Sequence, residues 1–330
     1  MKVADMHCDT LWEILKAKKQ GEEISLSKNK LHINLEKMKK GDYLVQNFGI
    51  FTHLEREKQP FKFCMQMIDT FYQERDANHD VIGVARSYND IVKNIEEGKM
   101  SAMLTIEEGA VCEGEPFLLR NLYRLGVRMM TLTWNFENCL AYPNRRIEIN
   151  ENGGKWAPDT EHGLTEKGII IVEEMERLGM IPDISHLSDK GIWDVFEHTK
   201  KPFVASHSNA RSVTPHPRNL TDDMIKKLSE RGGVMGINYH RLFLNEWKDG
   251  EEQISRICDM VRHMKYIKNV GGIQCMGLGS DFDGITGRLE LDGPDKLPFL
   301  EQAMRKEGFT ESEIEAVFYK NVLRLYKDVL

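Results

Sequence analysis

The chain has 330 residues, 41% of them hydrophobic and 29% charged, a composition typical of globular proteins and a length that suits one large barrel. Its net charge of -7 argues against a nucleic-acid-binding protein, which usually carries a basic face. No apolar run approaches the roughly 20 residues of a membrane span. We therefore expect neither nucleic acid nor a membrane among its partners.

The six cysteines are scattered and form no Cys-x-x-Cys pair. The first predicted strand begins within three residues of Met1, which leaves no room for a signal peptide. Because thiols without an export signal are typical of a reducing compartment, we expect free cysteines and a cytoplasmic location.

Short apolar segments that alternate with helical patterns run along the whole chain. Most are bounded by glycine, proline or charge, as parallel strands covered on both faces should be. Eight strand-helix repeats predict a (β/α)8 TIM-type barrel that forms one domain over residues 1–330. The predicted strands span residues 3–9, 43–53, 100–107, 126–134, 180–186, 203–207, 233–240 and 274–281.

The predicted helices between these strands are amphipathic. Residues 163–178 give the clearest pattern, and residues 221–231 and 253–268 behave similarly. The last predicted helix, 311–329, follows Thr310, which is a good N-cap for the acidic turn after it.

One connection, residues 136–162, is too long for a plain barrel turn and is rich in Asn and Gly. It follows the fourth predicted strand, so it would lie over the C-terminal mouth of the barrel. Loops of this length are often functional. We interpret it as a partial lid, and the alternative is an exposed insertion without a role.

His7 and Asp9 end the first predicted strand with one residue between them. Side chains on a strand alternate between its faces, so these two would share a face and Cys8 would point the other way. An imidazole and a carboxylate side by side suit a divalent metal ion, although a simple hydrogen-bonded pair is the alternative.

Carboxylates and imidazoles stand where five of the predicted strands end. TIM-barrel enzymes have their active sites at the C-terminal ends of the strands, so these groups would converge on one mouth. Buried unpaired charge is costly, and two metal ions would account for so many ligands. The residues are His7 and Asp9, Glu107 and Glu108, His186, His207, and Asp281 and Asp283.

Other histidines are weaker candidates for the site. His53 and His240 also end predicted strands and could line the pocket, but we favour hydrogen-bonded structural roles for both. His263 is expected at the surface.

Several motifs, in this order along the chain, together resemble the renal (membrane) dipeptidase family, zinc dipeptidases of the amidohydrolase group. The resemblance runs from residue 1 to the final helix. The motifs are His7-Cys-Asp9-Thr-Leu, Thr105-Ile-Glu-Glu-Gly, Leu125-Gly-Val-Arg-Met-Met-Thr-Leu-Thr133, Asp183-Ile-Ser-His186, Ser206-His-Ser-Asn-Ala-Arg-Ser-Val213, Arg218-Asn and Gly279-Ser-Asp-Phe-Asp-Gly284.

This resemblance implies two Zn2+ ions per chain. His7 and Asp9 would hold one zinc, His186 and His207 the other, and Glu107 would bridge both. Glu107 is preferred to Glu108 because its distance to Leu125-Gly-Val-Arg matches the family without a gap, and strand alternation agrees with that choice.

The resemblance also implies a hydrolase that cleaves small dipeptides with a metal-bridging hydroxide, including dipeptides with a D-residue at the C-terminal position. Arg218 would bind the free carboxylate of the substrate, because its planar fork permits bidentate geometry. Asp281 would take the proton from the bridging water and pass it to the leaving amine, with Asp283 as the alternative.

The chain departs from the family after Thr133. The best-known members carry there a histidine that contacts the substrate carbonyl, whereas this chain has Trp134 followed by Asn135. Trp134 could form an apolar wall and Asn135 could supply the polar contact; Trp134 could equally only pack the mouth. The substrate range therefore stays open.

Two other functions are compatible with these residues. One is a metal-dependent amidase, such as an N-acyl amino acid deacylase, on the same barrel. The other is a non-catalytic metal- or peptide-binding relative, although the presence of Asp281 argues against it. The family resemblance also suggests a homodimer. The preferred dipeptide, the pathway and the metal actually loaded are not given by the sequence.

Overall fold

The computed structural model describes residues 1–148, 155–247 and 250–330. The strands of the described chain are β1 (Val3–Asp5), β2 (Tyr43–Phe51), β3 (Ile82–Val84), β4 (Met100–Glu107), β5 (Val127–Thr131), β6 (Arg145–Glu148), β7 (Lys155–Ala157), β8 (Ile181–Asp183), β9 (Val204–Ala205), β10 (Val234–Ile237), β11 (Ile254–Ser255), β12 (Met276–Leu278) and β13 (Arg288–Leu289).

Eight of these strands form a closed parallel barrel, which confirms the predicted fold class. The order around the ring is β1, β2, β4, β5, β8, β9, β10 and β12, and β12 pairs with β1 to close it. Since all eight run in one direction, their carboxyl ends lie at the same mouth.

Helices surround the barrel and cover the outer faces of its strands. They are α1 (Thr10–Lys19), α2 (Leu35–Lys40), α3 (Pro60–Ala77), α4 (Tyr88–Glu96), α5 (Pro116–Arg124), α6 (Glu166–Leu178), α7 (Asp189–His198), α8 (Asp222–Glu230), α9 (Arg241–Leu244), α10 (Ile257–Gly271), α11 (Leu297–Lys306), α12 (Glu311–Glu315) and α13 (Asn321–Val329). In the described parts of the chain, no helix has the length and apolar character needed to cross a membrane.

The barrel interior is filled mainly by alanine, valine, isoleucine and methionine side chains, which pack against the last helix. Val322, Leu325 and Tyr326 of α13 join the same buried cluster as the strand residues, and the Tyr326 hydroxyl donates to Asn47 Oδ1 at 2.9 Å. The strand residues of this cluster include Ala4, Val45, Met103, Met129, Ile181, Val204 and Val234.

Each predicted barrel strand overlaps an observed one, but most observed strands are shorter. The first ends at Asp5, not at residue 9, so His7 and Asp9 lie beyond regular pairing, although Cys8 still bridges Phe282. The predicted helix 311–329 is also interrupted, because a π-helical segment, Ala316–Lys320, separates α12 from α13.

Three features were missed by the sequence interpretation. Ile254–Ser255, at the start of the predicted helix 253–268, form β11 and pair in parallel with β13, so α10 begins only at Ile257. β3 pairs with the start of β4 outside the barrel ring. The predicted loop 136–162 contains β6 and β7, which pair antiparallel as a hairpin, while residues 149–154 lie outside the described residues. Trp156 of β7 lines the cavity at the barrel mouth, so the hairpin reaches the place expected of a lid.

Candidate metal centre and active site

His7 and Asp9 lie just after β1 at the barrel mouth, and both are buried. His7 Nε2 is 3.6 Å from Asp9 Oδ2 and 3.9 Å from Asp281 Oδ1. The Cys8 side chain turns away, with Sγ 3.4 Å from the Asn47 carbonyl oxygen. The two side chains therefore converge as expected, although the regular strand has already ended.

Glu107, the last residue of β4, stands between His7 and the other two histidines. Its Oε2 is 3.4 Å from His7 Nε2, while its Oε1 is 3.1 Å from His186 Nε2 and 3.6 Å from His207 Nε2. Each carboxylate oxygen thus faces a different side of the site, which is the arrangement that a bridging ligand requires.

His186 and His207 follow β8 and β9, and their Nε2 atoms face each other at 3.0 Å. The Nδ1 atom of each ring lies within hydrogen-bonding distance of a polar side chain. His186 Nδ1 lies 2.9 Å from Asn135 Oδ1, and His207 Nδ1 lies 2.7 Å from Ser206 Oγ. Such partners fix the ring orientation and leave Nε2 free to bind a metal ion.

The donor atoms at this mouth fit metal ions better than they fit one another. His7 Nε2 and Asp9 Oδ1 are buried and have no hydrogen-bond partner. His7, Glu107 and His207 offer ligand atoms that lie within 4.8 Å of one another, and His7, Asp9 and Asp281 form a second such group. Mixed nitrogen and carboxylate donors suit Zn2+.

A glycine keeps space for the carboxylates. A Cβ atom at Gly284 would lie 2.1 Å from Asp9 Oδ2 and 2.5 Å from Asp281 Oδ1, so a larger residue would displace them. The Gly284 position therefore contributes to the shape of the site without supplying a ligand atom.

Burial and mutual charge shift the pKa values of the site residues. Burial raises the pKa of Glu107 to about 7, with a further rise from Asp9, and burial also raises the pKa of Asp281 to about 7. Burial lowers the pKa values of His186 and His207 well below the usual range, and nearby positive charge adds to this. Both imidazoles are therefore neutral and keep a lone pair for coordination.

The charge balance at His7 is different. Burial alone would lower the pKa of His7, but the carboxylates of Glu107 and Asp9 outweigh that effect and raise it well above the usual range. His7 is thus the position at which an added cation would replace a proton.

The adjacent alternatives, Glu108 and Asp283, are occupied elsewhere. Glu108 accepts hydrogen bonds from the backbone of Ala110 at 2.9 Å and of Trp134 at 3.1 Å. Asp283 accepts from Thr10 Oγ1 at 2.6 Å and from the His32 backbone at 2.7 Å. The geometry therefore favours Glu107 and Asp281 for the two roles inferred from the sequence.

Arg218 lies on the connection between β9 and α8 and is buried beside the metal-ligand candidates. Its Nη2 donates to the His207 carbonyl at 3.2 Å and its Nη1 to Ser208 Oγ at 3.3 Å, while Nε is buried without a partner. Burial lowers the pKa of Arg218 to about 10, so the side chain stays charged at neutral pH. A free N–H group and a retained charge suit an anionic group of a ligand.

Trp134 and Asn135 lie a few residues after β5 and line a cavity of about 530 Å³. The Trp134 ring centroid is 6.0 Å from that of His186. The observed contact of the Asn135 side chain is with His186 Nδ1, so Asn135 orients a predicted ligand in addition to lining the cavity.

His53 lines the same cavity, and its Nδ1 is buried without a partner, whereas the sequence interpretation favoured a structural role. His240 also lines the cavity. The expectation that His263 lies at the surface is wrong, since this side chain is completely buried.

A supporting residue that the sequence interpretation did not assign is Asp183, the last residue of β8. It accepts hydrogen bonds from the Ser206 hydroxyl, from Thr131 Oγ1 at 2.9 Å and from the Ser206 backbone at 2.9 Å. Ser206 in turn contacts His207 Nδ1. The signal was present, since Asp183 and Ser206 both lie in the quoted motifs, but only folding shows that they meet.

Comparison with known proteins gives a family match over the whole chain. The sequence model of the membrane dipeptidase family (peptidase family M19) matches residues 1–330. A protein of Clonostachys rogersoniana named dipeptidase verJ is 31% identical over 278 residues, which cover 84% of this chain and 67% of that protein.

Two solved structures resemble the whole chain. Dipeptidase AC, a metallopeptidase of family M19, has a TM-score of 0.90 and 28% identity, with 100% of this chain and 98% of that chain covered. A metallopeptidase from Rhodobacter sphaeroides, solved with a phosphinate mimic of the dipeptide L-Ala-D-Ala, has a TM-score of 0.87 and 25% identity, with 100% and 99% covered.

Proposed function

Because this chain belongs to the membrane dipeptidase family, whose members are metal-dependent hydrolases, we propose that it cleaves dipeptides with two zinc ions. The proposed ligands are His7 and Asp9 for one ion, His186 and His207 for the other, and Glu107 between them. The observation that carries this proposal is the position of Glu107, whose two oxygens face the two histidine groups separately.

When bound, two zinc ions would lower the pKa of a shared water molecule and polarise the scissile carbonyl. Asp281 Oδ1 lies 3.9 Å from His7 Nε2, and its Oδ2 accepts from Asn238 Nδ2 at 3.0 Å. The Asn238 contact orients the carboxyl group, which in our proposal takes up a proton and delivers it to the leaving amine. Asp281→Asn should therefore lower kcat by about 10²-fold or more while metal content stays near two per chain, and unchanged turnover would refute this role.

The proposed substrate is a dipeptide with a free C-terminal carboxylate, which Arg218 would bind. The buried, unpartnered Arg218 Nε supports this assignment. A D-residue at the C-terminal position is part of the proposal, and it is supported by the L-Ala-D-Ala mimic bound to the Rhodobacter sphaeroides relative.

The proposal is tested by elemental analysis of the purified protein and by hydrolysis of a dipeptide panel before and after chelation. We expect near two zincs per chain and cleavage that chelation abolishes and zinc restores. Hydrolysis of acetyl-Gly in preference to Xaa-Gly would instead identify an N-acyl amino acid deacylase. Absence of bound metal after zinc loading would refute the ligand assignment.

We further propose a homodimer in the cytoplasm, built from a single barrel domain. The cytoplasmic location is supported by the six cysteines, all of which are free thiols. Light scattering of the purified protein tests the dimer, since a monomer mass at micromolar concentration would contradict it. Cell fractionation tests the location.

A further inference from the structure

Four aromatic side chains form a continuous surface on one side of the barrel mouth. This aromatic wall consists of Trp12 of α1, Phe51 at the end of β2, His53 just after it, and Trp134 after β5. The ring centroids of Trp12 and Phe51 are 5.8 Å apart, those of Phe51 and Trp134 are 5.0 Å apart, and those of His53 and Trp134 are 5.2 Å apart. All four residues line the 530 Å³ cavity.

The Phe51 and His53 part of the aromatic wall lies across the mouth from Arg218. The ring order runs β1, β2, β4, β5, β8, β9, β10, β12, so the β9 end that leads to Arg218 is half a turn from β2. It is three strands from β1, which leads to Trp12, and two strands from β5, which leads to Trp134. Glu107 ends β4, between the strands that carry the wall. A dipeptide held by its carboxylate at Arg218, with its amide bond over Glu107, would direct its first residue toward the wall.

The wall is apolar over most of its area, and its polar atoms are the ring nitrogens of His53, Trp12 and Trp134. His53 Nδ1 is buried without a hydrogen-bond partner. Burial and the positive charge of Arg56 lower the pKa of His53, so the imidazole is neutral at pH 7. At the rim, Lys16 lies 4.7 Å from the Trp12 ring centroid and is paired with Glu13 at 3.5 Å. These paired charges offer little attraction to a charged side chain.

We propose that the aromatic wall is the binding site for the side chain of the substrate's N-terminal residue, and that it selects aromatic and large aliphatic side chains. The inference rests on the proposed dipeptidase function and adds the substrate class. An aromatic side chain of the substrate could form offset or edge-to-face contacts with the rings of the wall at centroid distances of about 5–6 Å, and a small side chain could not.

The test compares kcat/KM for Phe-Ala, Leu-Ala and Gly-Ala with that for Ala-Phe and Ala-Gly, using zinc-loaded protein. We expect Phe-Ala to exceed Gly-Ala by on the order of 10-fold or more, as an apolar pocket permits. The ratio of Ala-Phe to Ala-Gly should be smaller, because the C-terminal residue faces the Arg218 side.

Trp12→Ala is the most informative variant because the Trp12 ring contacts Phe51 and Lys16, while its backbone N–H, which the substitution retains, donates to the Asp9 carbonyl oxygen at 2.9 Å. The ratio of Phe-Ala to Gly-Ala should fall on the order of 10-fold in this variant and recover largely in Trp12→Phe. Trp193→Ala is the matched control, since Trp193 lies partly exposed on α7, and it should leave the ratio unchanged.

The proposal would be overturned if the wild type had a higher kcat/KM for Gly-Ala than for Phe-Ala. It would also be overturned if folded Trp12→Ala lost kcat/KM equally for both dipeptides. If no dipeptide is cleaved, the proposed function fails, and quenching of tryptophan fluorescence then tests the wall separately. Tighter binding of Phe-Ala than of Gly-Ala would support the wall, and equal binding would refute it.

Discussion

At the scale of single residues, two members of the site have an unusual backbone conformation. His186 has φ 70° and Asp281 has φ 61°, in the left-handed region that non-glycine residues rarely occupy. Such a conformation costs on the order of 1–3 kcal/mol and persists where surrounding contacts hold it. Both residues lie just after their strands end, where the chain leaves regular strand geometry and the side chains line the cavity of the site.

The first prediction concerns Ser206, which lies between Asp183 and His207. Ser206→Ala would remove the acceptor at His207 Nδ1 and leave the ring orientation less fixed. Loss of such a supporting contact typically weakens metal binding by about 10- to 100-fold. Competition with a zinc chelator measures this affinity.

Ser212→Ala is the control, because the Ser212 hydroxyl bonds Asp222 at the surface of the same connection. Equal zinc affinity in wild type and Ser206→Ala would show that the contact with His207 has no part in holding the metal.

The second prediction concerns Arg218. Arg218→Lys removes the planar fork, so KM for dipeptides should rise by about 10- to 100-fold, the range expected for a lost charged hydrogen bond. Dipeptide amides, which lack the carboxylate, should change far less. Steady-state kinetics on Leu-Ala and Leu-Ala-amide measure the difference, and a parallel loss on both substrates would contradict the carboxylate role.

At the scale of elements, the site is built where short strands end. β9 has only two residues, Val204–Ala205, and the backbone that follows it is approached closely by Gly236 of β10 and by Gly279, just after β12. A Cβ atom at Gly236 of β10 would lie 2.0 Å from the Ser206 carbonyl oxygen, and one at Gly279 would lie 1.8 Å from it. These glycines allow the backbone before His207 to sit where the ring can reach Glu107.

The third prediction follows from that close approach. Gly236→Ala should destabilise the fold by about 1–3 kcal/mol or more, because the opposing atom is backbone and has little room to move. Gly98→Ala is the comparison, since Gly98 has φ +70° but faces open space, and it should cost only about 1–2 kcal/mol. Thermal unfolding of both variants measures the difference, and equal melting temperatures would contradict the crowding at Gly236.

At the scale of the whole molecule, a buried histidine links three parts of the chain. His263 of α10 accepts a hydrogen bond at Nδ1 from the Ala210 backbone at 3.1 Å, and its Nε2 lies 3.1 Å from the Leu244 carbonyl oxygen. Ala210 lies on the same connection between β9 and α8 as Arg218, so His263 holds that connection against α10 and the end of α9.

The fourth prediction is a pH dependence of stability. Burial lowers the pKa of His263 to about 4, below its unfolded value, so the unfolded chain binds the proton first as the pH falls. The neutral His263 therefore contributes its full share to the free energy of unfolding above pH 6.5. This contribution decreases between pH 6.5 and about 4, and roughly 2 kcal/mol of it is lost at pH 5.

His263→Gln lacks this protonation, so the difference in unfolding free energy between wild type and variant should narrow from pH 7 to pH 5. Urea unfolding at both pH values measures it. An equal difference at pH 7 and pH 5 between wild type and His263→Gln would contradict the lowered pKa.

The sequence by itself determined the barrel, the family and the residues that meet at its mouth. Eight apolar segments alternating with amphipathic helices are sufficient for the fold class, because period and burial are local properties of a chain. The ordered motifs around His7, Glu107, His186, His207 and Arg218 were sufficient for the resemblance to the family.

Only the tertiary structure decided which groups support the site and where a substrate side chain would lie. The contact of Asp183 with Ser206, the aromatic wall and the burial of His263 each join residues distant in sequence. Likewise, only the fold shows that the Glu108 carboxylate accepts hydrogen bonds from the backbone of Ala110 and Trp134, which leaves Glu107 as the candidate bridging ligand. Such contacts depend on how elements pack in three dimensions, which local sequence pattern does not specify.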